Sequence, residues 1–295
     1  EQQNLGVHAR PELRDRDVVL VRNNSGADRQ RFDVLGIADV LITPEDNLDE
    51  FRNRYPLTGV VPAIAEHVRR FVVLLETVAE GAIARAALAG IVPVRLKVIY
   101  EWHKFAHIAD DDSTHLVSDC VGYPILWKDA AGNEDENGNR WALVKIGGPG
   151  VSLGVWKNTG AATVAAHEQF RVTGCEGDGN SLTGRQPDSA HGRQYETNGS
   201  TPVPAGKHGV YQKAAVIHVA YAGDAPSAGD RLGPKPGQGT VVKDDPAFVT
   251  CDALGVADET NKIVQARVHA AQGERCVVLR MKSAEAVVLP PDPIR

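Results

Sequence analysis

The stretch Phe71 to Leu96, FVVLLETVAEGAIARAALAGIVPVRL, decides the fold of this chain. Two glycines, Gly81 and Gly90, interrupt its apolar runs, and it ends in a Val-Pro-Val-Arg segment. Short apolar runs separated by glycine turns are typical of consecutive strands in a small barrel or sandwich. The stretch therefore predicts a strand, a turn, a second strand, another turn and a third strand.

The composition of the whole chain indicates the same class. Its 295 residues include 29 glycines and 17 prolines, which favour many short elements over long helices. The length is sufficient for two domains that each bury a core. We therefore predict a mainly β fold with two small β-barrel or β-sandwich modules, joined by a long glycine-rich, loop-rich segment and flanked by extended termini.

Changes in composition along the chain give the predicted domain boundaries. In chain order they define an extended N-terminal arm, a β-barrel or β-sandwich domain, a loop-rich connecting region, a second β domain and an extended tail. The predicted bounds of these five parts are 1–16, 17–147, 148–208, 209–289 and 290–295.

A short internal similarity suggests that the β units are related. The segment FDVLGIAD at Phe32–Asp39 resembles CDALGVAD at Cys251–Asp258. Repeats of this kind indicate a duplicated structural unit.

The charge pattern argues against two classes of partner. The net charge is −6, and the arginines between Arg10 and Arg22 are mixed with Glu12, Asp15 and Asp17 rather than forming a basic stripe. No apolar run reaches the ~18 residues that a membrane span requires, and no signal peptide is recognised. We therefore predict neither a nucleic-acid partner nor a membrane partner.

One serine lies in a pattern that some hydrolases use. Gly150-Val151-Ser152-Leu153-Gly154 fits the G-x-S-x-G nucleophile elbow, in which a strand leads through the serine into a helix. The residues after Gly154 do not begin a helix, so the pattern favours a glycine-rich turn. A serine hydrolase using Ser152 is the remote alternative, and we predict no catalytic residues and no enzyme activity.

Candidate ligand sites are incomplete in the sequence. His103 and His107 share a face only in a helix, His115 follows, and no third metal ligand is defined. The acidic run Asn133–Gly138 resembles the start of a calcium loop, but the position for its bidentate acid is Val144. The glycine-rich Gly233–Gly239 lacks the Gly-Lys-Ser/Thr ending of a phosphate-binding loop. We therefore predict no metal and no cofactor.

The cysteines give no metal-binding spacing. Cys120, Cys175, Cys251 and Cys276 are scattered, with no C-x-x-C pair, which is typical of cysteines packed as small apolar residues. A disulfide between Cys251 and Cys276 stays open, since spacing alone does not establish its geometry.

Several of these segments together resemble a known class of proteins. The runs Val19–Ile37, Phe71–Leu96, PILWK at 124–128 and WALVKIG at 141–147 look like accessory virion proteins of tailed bacteriophages and prophages, and residues 211–270 are similar in style. The resemblance implies a non-enzymatic structural protein of a phage particle, assembled in the bacterial host cytoplasm. It implies binding to other virion subunits, major capsid or tail proteins, through loops and extended arms, and homo-oligomerisation. Capsid decoration is favoured over a tail or neck position.

The alternative hypothesis is a secreted or surface β-sandwich that binds a carbohydrate or another polymer. Such a module stacks sugar rings on exposed aromatic side chains. The candidates are Trp102, Trp127, Trp141, Trp156, Tyr211 and Tyr221.

Overall fold

A computed structural model shows a mainly β chain, with 49% of residues in strands and 6% in helices. This confirms the predicted mainly β fold built from small barrels. The structure describes residues 17–268 with internal gaps at 54, 148–152, 177–180, 188–194, 214–215, 235–236, 238 and 244–249. The predicted arm at 1–16 and the predicted tail at 290–295 lie outside the described residues.

The first five strands form a closed barrel. Their cyclic order is β1-β3-β2-β4-β5; β1 and β3 run parallel, and every other neighbouring pair is antiparallel. Alternation places Val19 and Val21 inside and Leu20 outside, as expected for a half-buried strand. The elements are β1 (Val18–Asn23), β2 (Val34–Val40), α1 (Pro44–Asn53), β3 (Leu57–Val60), α2 (Ile64–His67), β4 (Phe71–Leu74) and β5 (Ile83–Ala87).

A second closed barrel follows directly, and it repeats the strand order of the first. Its elements are β6 (Gly90–Lys97), β7 (Phe105–Ile108), β8 (Leu116–Asp119), β9 (Tyr123–Lys128) and β10 (Arg140–Ile146). The three strands predicted for 71–96 are therefore β4, β5 and β6. Gly81 and Gly90 both have positive φ, and Gly90 begins the second barrel immediately after β5 closes the first.

The third and fourth units are five-stranded sheets with the same neighbour relations. The third contains β11 (Leu153–Asn158), β12 (Gln169–Cys175), β13 (Ser181–Arg185), β14 (Tyr195–Thr197) and β15 (His208–Gln212). The fourth contains β16 (Val216–Ala220), β17 (Arg231–Pro234), β18 (Val241–Val242), β19 (Cys251–Asp258) and β20 (Ile263–Val268). Single bridges, Asn198 to Tyr211 and Tyr221 to Val241, join the remaining neighbours in each sheet.

The described residues thus contain four units of one topology, where the sequence indicates two modules and a connecting region. The difference has a physical basis. Each unit spans only about 60 residues, so 17–147 holds two barrels, and residues 153–212 form strands that are short and polar on their exposed faces. The similarity between Phe32–Asp39 and Cys251–Asp258 does not mark this repeat, because β2 is the second strand of its unit and β19 the fourth.

The four units contact one another along the chain. One apolar core runs through the first and second barrels into the third unit, through Val34, Val94 and Val210. The backbone N–H of Val34 donates to the Ser113 carbonyl at 2.7 Å, between the two barrels. The N–H of Gln169 donates to the Gly239 carbonyl at 2.7 Å, between the third and fourth units.

Candidate functional site

A cluster of histidine, cysteine and aromatic side chains lies where the second, third and fourth units meet. We call it the junction cluster: Tyr100, Trp102, His103, Cys120, His167 and His218. Its residues come from the loop between β6 and β7, the link after β8, the loop before β12, and β16. His103, Cys120 and His167 each offer a ligand atom, and these three atoms all lie within 4.8 Å of one another.

The turn before β12 places His167 in this cluster. His167 has φ 58°, the left-handed region, two residues before its strand begins. Phe32 in the first barrel (φ 75°) and Gly229 in the fourth unit (φ 89°) lie at the same distance before β2 and β17. Histidine is among the residues that enter this region more readily than most. The repeated turn therefore carries a different residue in each of these units.

Aromatic rings pack around the histidines. The Trp102 ring stacks on His218 with centroids 4.4 Å apart and on Tyr100 with centroids 5.5 Å apart. It meets the edge of His103 at 4.5 Å. The histidine nitrogens thus lie among apolar ring faces, where burial disfavours the charged imidazolium.

Each of the two central histidines has one bonded and one unpartnered ring nitrogen. His103 Nδ1 hydrogen-bonds to the Ser118 hydroxyl at 3.0 Å, while its Nε2 is buried without a partner. His167 Nε2 is also buried without a partner. The residues are 1% and 0% exposed, so water does not supply the missing bond from bulk solvent.

The electrostatics of the cluster keep its histidines neutral. Burial lowers the pKa of His103 to about 3 and that of His167 to about 4. Burial, together with the nearby Asp119 carboxylate, raises the pKa of the Cys120 thiol. In the absence of a cation the three ligand groups are therefore uncharged near neutral pH.

A buried carboxylate lies beside the cluster. Asp119 is fully buried, which raises its pKa, but the hydrogen bond from His107 and the backbone N–H of Ser200 outweigh burial and lower the pKa to about 2. His107 Nε2 lies 3.1 Å from Asp119 Oδ2, and the Ser200 N–H donates to the same oxygen at 2.9 Å. Because Ser200 belongs to the third unit, Asp119 also ties two units together.

The three histidines that are close in sequence, His103, His107 and His115, have different surroundings in the structure. His107 is paired with Asp119, and His115 Nδ1 lies 3.4 Å from Asp112 just before β8. His103 instead approaches Cys120 and His167, which the spacing of the sequence does not single out. His103 and His167 belong to different units, so no spacing within one unit of the sequence could have paired them.

The other candidate motifs have structural partners or lie outside the described residues. In the calcium-like segment, Asp135 pairs with Arg95 at 3.4 Å and Glu134 pairs with Arg140 at 2.7 Å. Ser152 and Cys276 lie outside the described residues, as does part of Gly233–Gly239, whose first glycine is in β17. The structure therefore tests neither the nucleophile elbow nor the disulfide.

A second feature is an apolar patch on the outside of the second barrel. Leu143 of β10 lies opposite Pro93 of β6 on one side and Trp127 of β9 on the other. Trp127 is 52% exposed and Ile91, on β6, is 60% exposed. We call Ile91, Pro93, Trp127 and Leu143 the outer apolar face. Contiguous apolar residues at outward positions indicate an interaction surface more strongly than scattered ones.

Most of the aromatic residues considered as sugar platforms are buried. Trp156, Tyr221 and Tyr211 lie in the cores of the third and fourth units, and Trp102 is part of the junction cluster. Trp127 and Trp141 remain exposed on the second barrel.

A cavity of about 580 Å³ lies between α2 and the third unit. Its lining combines Glu66, Arg69 and Lys213 with Tyr211 and with residues of β11. Charges of both signs line it, and the residues named here do not form a nucleophile–base pair.

Comparisons with known proteins return no match to a family model, to a curated protein or to a solved structure. Among the described residues, none of the helices has the length and apolar character needed to cross a bilayer.

Proposed function

We propose that this chain is a non-enzymatic structural protein of a phage particle that binds a neighbouring virion subunit, in a capsid-decorating role rather than in the tail or neck. The observation that carries the proposal is the outer apolar face of the second barrel. Localisation in the virion, after assembly in the host cytoplasm, follows from the same proposal.

The geometry of this face suits a flat protein partner. Pro93, Leu143 and Trp127 lie side by side across three neighbouring strands, so their side chains point from one surface of the sheet. The row is held in place because β10 pairs with β6 along its whole length and with β9 from Ala142 to Val144. Rigid apolar residues lose little conformational entropy on binding.

The charges around the outer apolar face indicate which charge the partner's surface should have. Lys145 lies opposite Ile91 and is exposed, and Lys97 is exposed at the end of the same strand β6. The chain as a whole has a net charge of −6, so this basic border is local. A partner surface with an apolar centre and an acidic rim would complement it.

The tandem arrangement supports a role in a repetitive assembly. Four small units of one topology present a series of similar turns along one chain. On a symmetric particle, contacts that are individually weak add through multivalency. This supports decoration of a lattice, and homo-oligomerisation on it, over binding of a single small molecule.

The test is incorporation into particles assembled from the structural genes that neighbour the gene for this chain. We expect the wild-type chain to co-sediment with the particles, and the double variant Ile91→Lys/Leu143→Lys to be depleted about tenfold or more, as expected when hot-spot contacts worth over ~1.4 kcal/mol are lost. The matched control is Leu20→Lys/Ile83→Lys, which places the same charges on exposed apolar positions of the first barrel. Absence of the wild-type chain from particles, or equal depletion of both double variants, would contradict the proposal.

The second candidate function, polymer binding, rests on Trp127 and Trp141, which are 52% and 37% exposed on the second barrel. Binding to a glycan array that is lost in Trp127→Ala, together with no incorporation into particles, would favour it over the structural role.

A further inference from the structure

We propose that His103, Cys120 and His167 bind one Zn²⁺ ion, which fastens the second barrel to the third unit. This inference goes beyond the proposed structural role and does not depend on it. Two imidazoles and one thiolate are ligands that Zn²⁺ accepts in proteins.

The spacing of the ligand atoms suits a single ion. The three atoms lie within 4.8 Å of one another. Ligands of a tetrahedral zinc at bond lengths of about 2.0–2.3 Å are separated by about 3.3–3.8 Å. Side-chain movements of about 1 Å therefore complete the geometry without displacement of the strands.

The hydrogen bonds of His167 leave its Nε2 ready to coordinate. Its Nδ1 lies 3.4 Å from the side-chain nitrogen of Gln212, but that amide already donates to the carbonyls of Asn198 at 3.0 Å and His218 at 2.8 Å. Nδ1 is therefore the protonated nitrogen, and the ring hydrogen-bonds to the His218 backbone. A backbone carbonyl behind the distal nitrogen is the usual outer-shell partner of a zinc-bound histidine.

His103 has the same arrangement with a different partner. Its Nδ1 contacts the Ser118 hydroxyl, and that oxygen also accepts the backbone N–H of Ile99 at 2.8 Å. A proton on Nδ1 leaves a lone pair on the buried Nε2, which otherwise has no partner. Two buried, unpartnered imidazole nitrogens at one place carry a desolvation cost that a metal ion would remove.

The third ligand and the neighbouring charge balance the ion. Zinc binding releases the Cys120 thiol proton to solvent and forms a Zn–S bond, so the affinity rises with pH. The thiolate and the adjacent buried Asp119 carboxylate supply two negative charges against the two of Zn²⁺. Cys120 is partly exposed, which gives the ion a route to the buried nitrogens. Water would take the fourth coordination position of the ion. His218 lies close enough to lower the pKa of both ligand histidines.

The experiment titrates the chelator-treated full chain with Zn²⁺ and with Co²⁺. We expect one Zn²⁺ per chain by mass spectrometry of the folded protein, a higher unfolding temperature with zinc, and a cobalt–thiolate charge-transfer band. Cys120→Ser should abolish the band. It should also weaken zinc binding about tenfold or more, because loss of even an outer-shell partner of a metal ligand costs about that much affinity. His167→Asn should do the same for zinc affinity, and asparagine tolerates the left-handed backbone that this position needs.

The controls are Cys175→Ser and His115→Gln, which change the same residue types outside the junction cluster. Both should bind zinc like the wild type. Wild-type binding weaker than about 0.1 mM, or binding that survives both Cys120→Ser and His167→Asn, would overturn the proposal. Because these readouts are metal content, absorbance and unfolding temperature, they do not depend on incorporation into particles.

Discussion

The first barrel and the third unit share a strand order but fill their cores with different residues. Small or aliphatic core residues of the first barrel are replaced by aromatic ones in the third unit. The replacements lie at equivalent positions of three strand pairs: β1 and β11, β2 and β12, and β5 and β15. The pairs are Val21 and Trp156, Leu35 and Phe170, and Ala86 and Tyr211. Trp156 stacks on Phe170 with ring centroids 3.8 Å apart.

Glycines make room for these aromatic side chains. Gly154 lies opposite Tyr211, where the first barrel has Val19 opposite Ala86. A β-carbon on Gly154 would meet the Tyr211 ring at 2.0 Å. Gly209 likewise lies opposite Trp156, where the first barrel has Ala84 opposite Val21. The two units therefore distribute the side chains of their cores differently between strands, while the topology stays the same.

The largest expected effect comes from exchanging one such pair. Tyr211→Ala leaves a cavity and should destabilise the chain by about 3–4 kcal/mol. Gly154→Val forces the Tyr211 ring aside and should cost about 3 kcal/mol. The double variant recreates the Val–Ala pair of the first barrel, so we expect it to cost about 1–3 kcal/mol less than the sum of the singles, measured by urea unfolding.

The control for this cycle is Gly174→Val combined with Tyr211→Ala. A β-carbon on Gly174 meets only the Thr183 hydroxyl, at 3.3 Å, and not Tyr211. These two changes should add. Additivity of the Gly154 and Tyr211 changes as well would show that the volume exchange between strands is not the reason for the glycine.

The strands and glycine turns within a unit could be predicted from the sequence. The number of units and the contacts between them could not. The glycine turns and alternating runs around Gly81 and Gly90 identify β4, β5 and β6 because they act locally. The third unit escapes the same argument because Gly154, Gly184 and Gly209 lie within its strands, where glycine normally signals a turn. The pairing of His103 with His167 depends on contacts between units, and no spacing within one unit encodes it.

A second prediction concerns a buried asparagine that the first barrel and the third unit have at the same position. Asn23 and Asn158, both fully buried, end β1 and β11 and hold the following loop. Asn23 Nδ2 donates to the Ala27 carbonyl at 2.8 Å, and Asn158 Nδ2 donates to the Ala162 carbonyl at 2.8 Å. Each asparagine also accepts a backbone N–H through Oδ1, from Ser25 in the first barrel and from Gly160 in the third unit. Replacing either with alanine removes its whole set of buried hydrogen bonds and should cost about 2 kcal/mol.

The free energies of unfolding of Asn23→Ala and Asn158→Ala should differ slightly between the first barrel and the third unit. Asn158→Ala should cost slightly more, since Asn158 also donates to the Val203 carbonyl at 2.9 Å, whereas the matching bond from Asn23 to Val78 is 3.5 Å. Asn24→Ala, an exposed neighbour, is the control and should change the free energy of unfolding by less than about 0.5 kcal/mol. A cost below that limit for both buried asparagines would mean that the loops are held by other contacts.

The smallest expected effect concerns a buried histidine of the first barrel. His67 ends α2 and packs its ring on Gly36, where a β-carbon would meet the ring at 2.4 Å. Its Nδ1 accepts the Ala63 N–H at 3.0 Å, so protonation of that nitrogen breaks the bond. Burial lowers the pKa of His67 below its ordinary value of 6.5, against the opposing effect of Glu66 and with a smaller contribution from Arg70.

The sign of the pH dependence follows from this lowered pKa. Below pH 6.5 the unfolded chain binds a proton that folded His67 does not, so stability is complete above that pH and falls as the pH is lowered toward the folded pKa. The loss from His67 is at most about 1.4 kcal/mol per pH unit. His67→Gln should make unfolding less dependent on pH between 6.5 and 5.5, while Glu66→Gln, which removes the charge that favours protonation, should steepen it. Equal slopes for all three proteins would show that the fold of the first barrel does not hold His67 neutral.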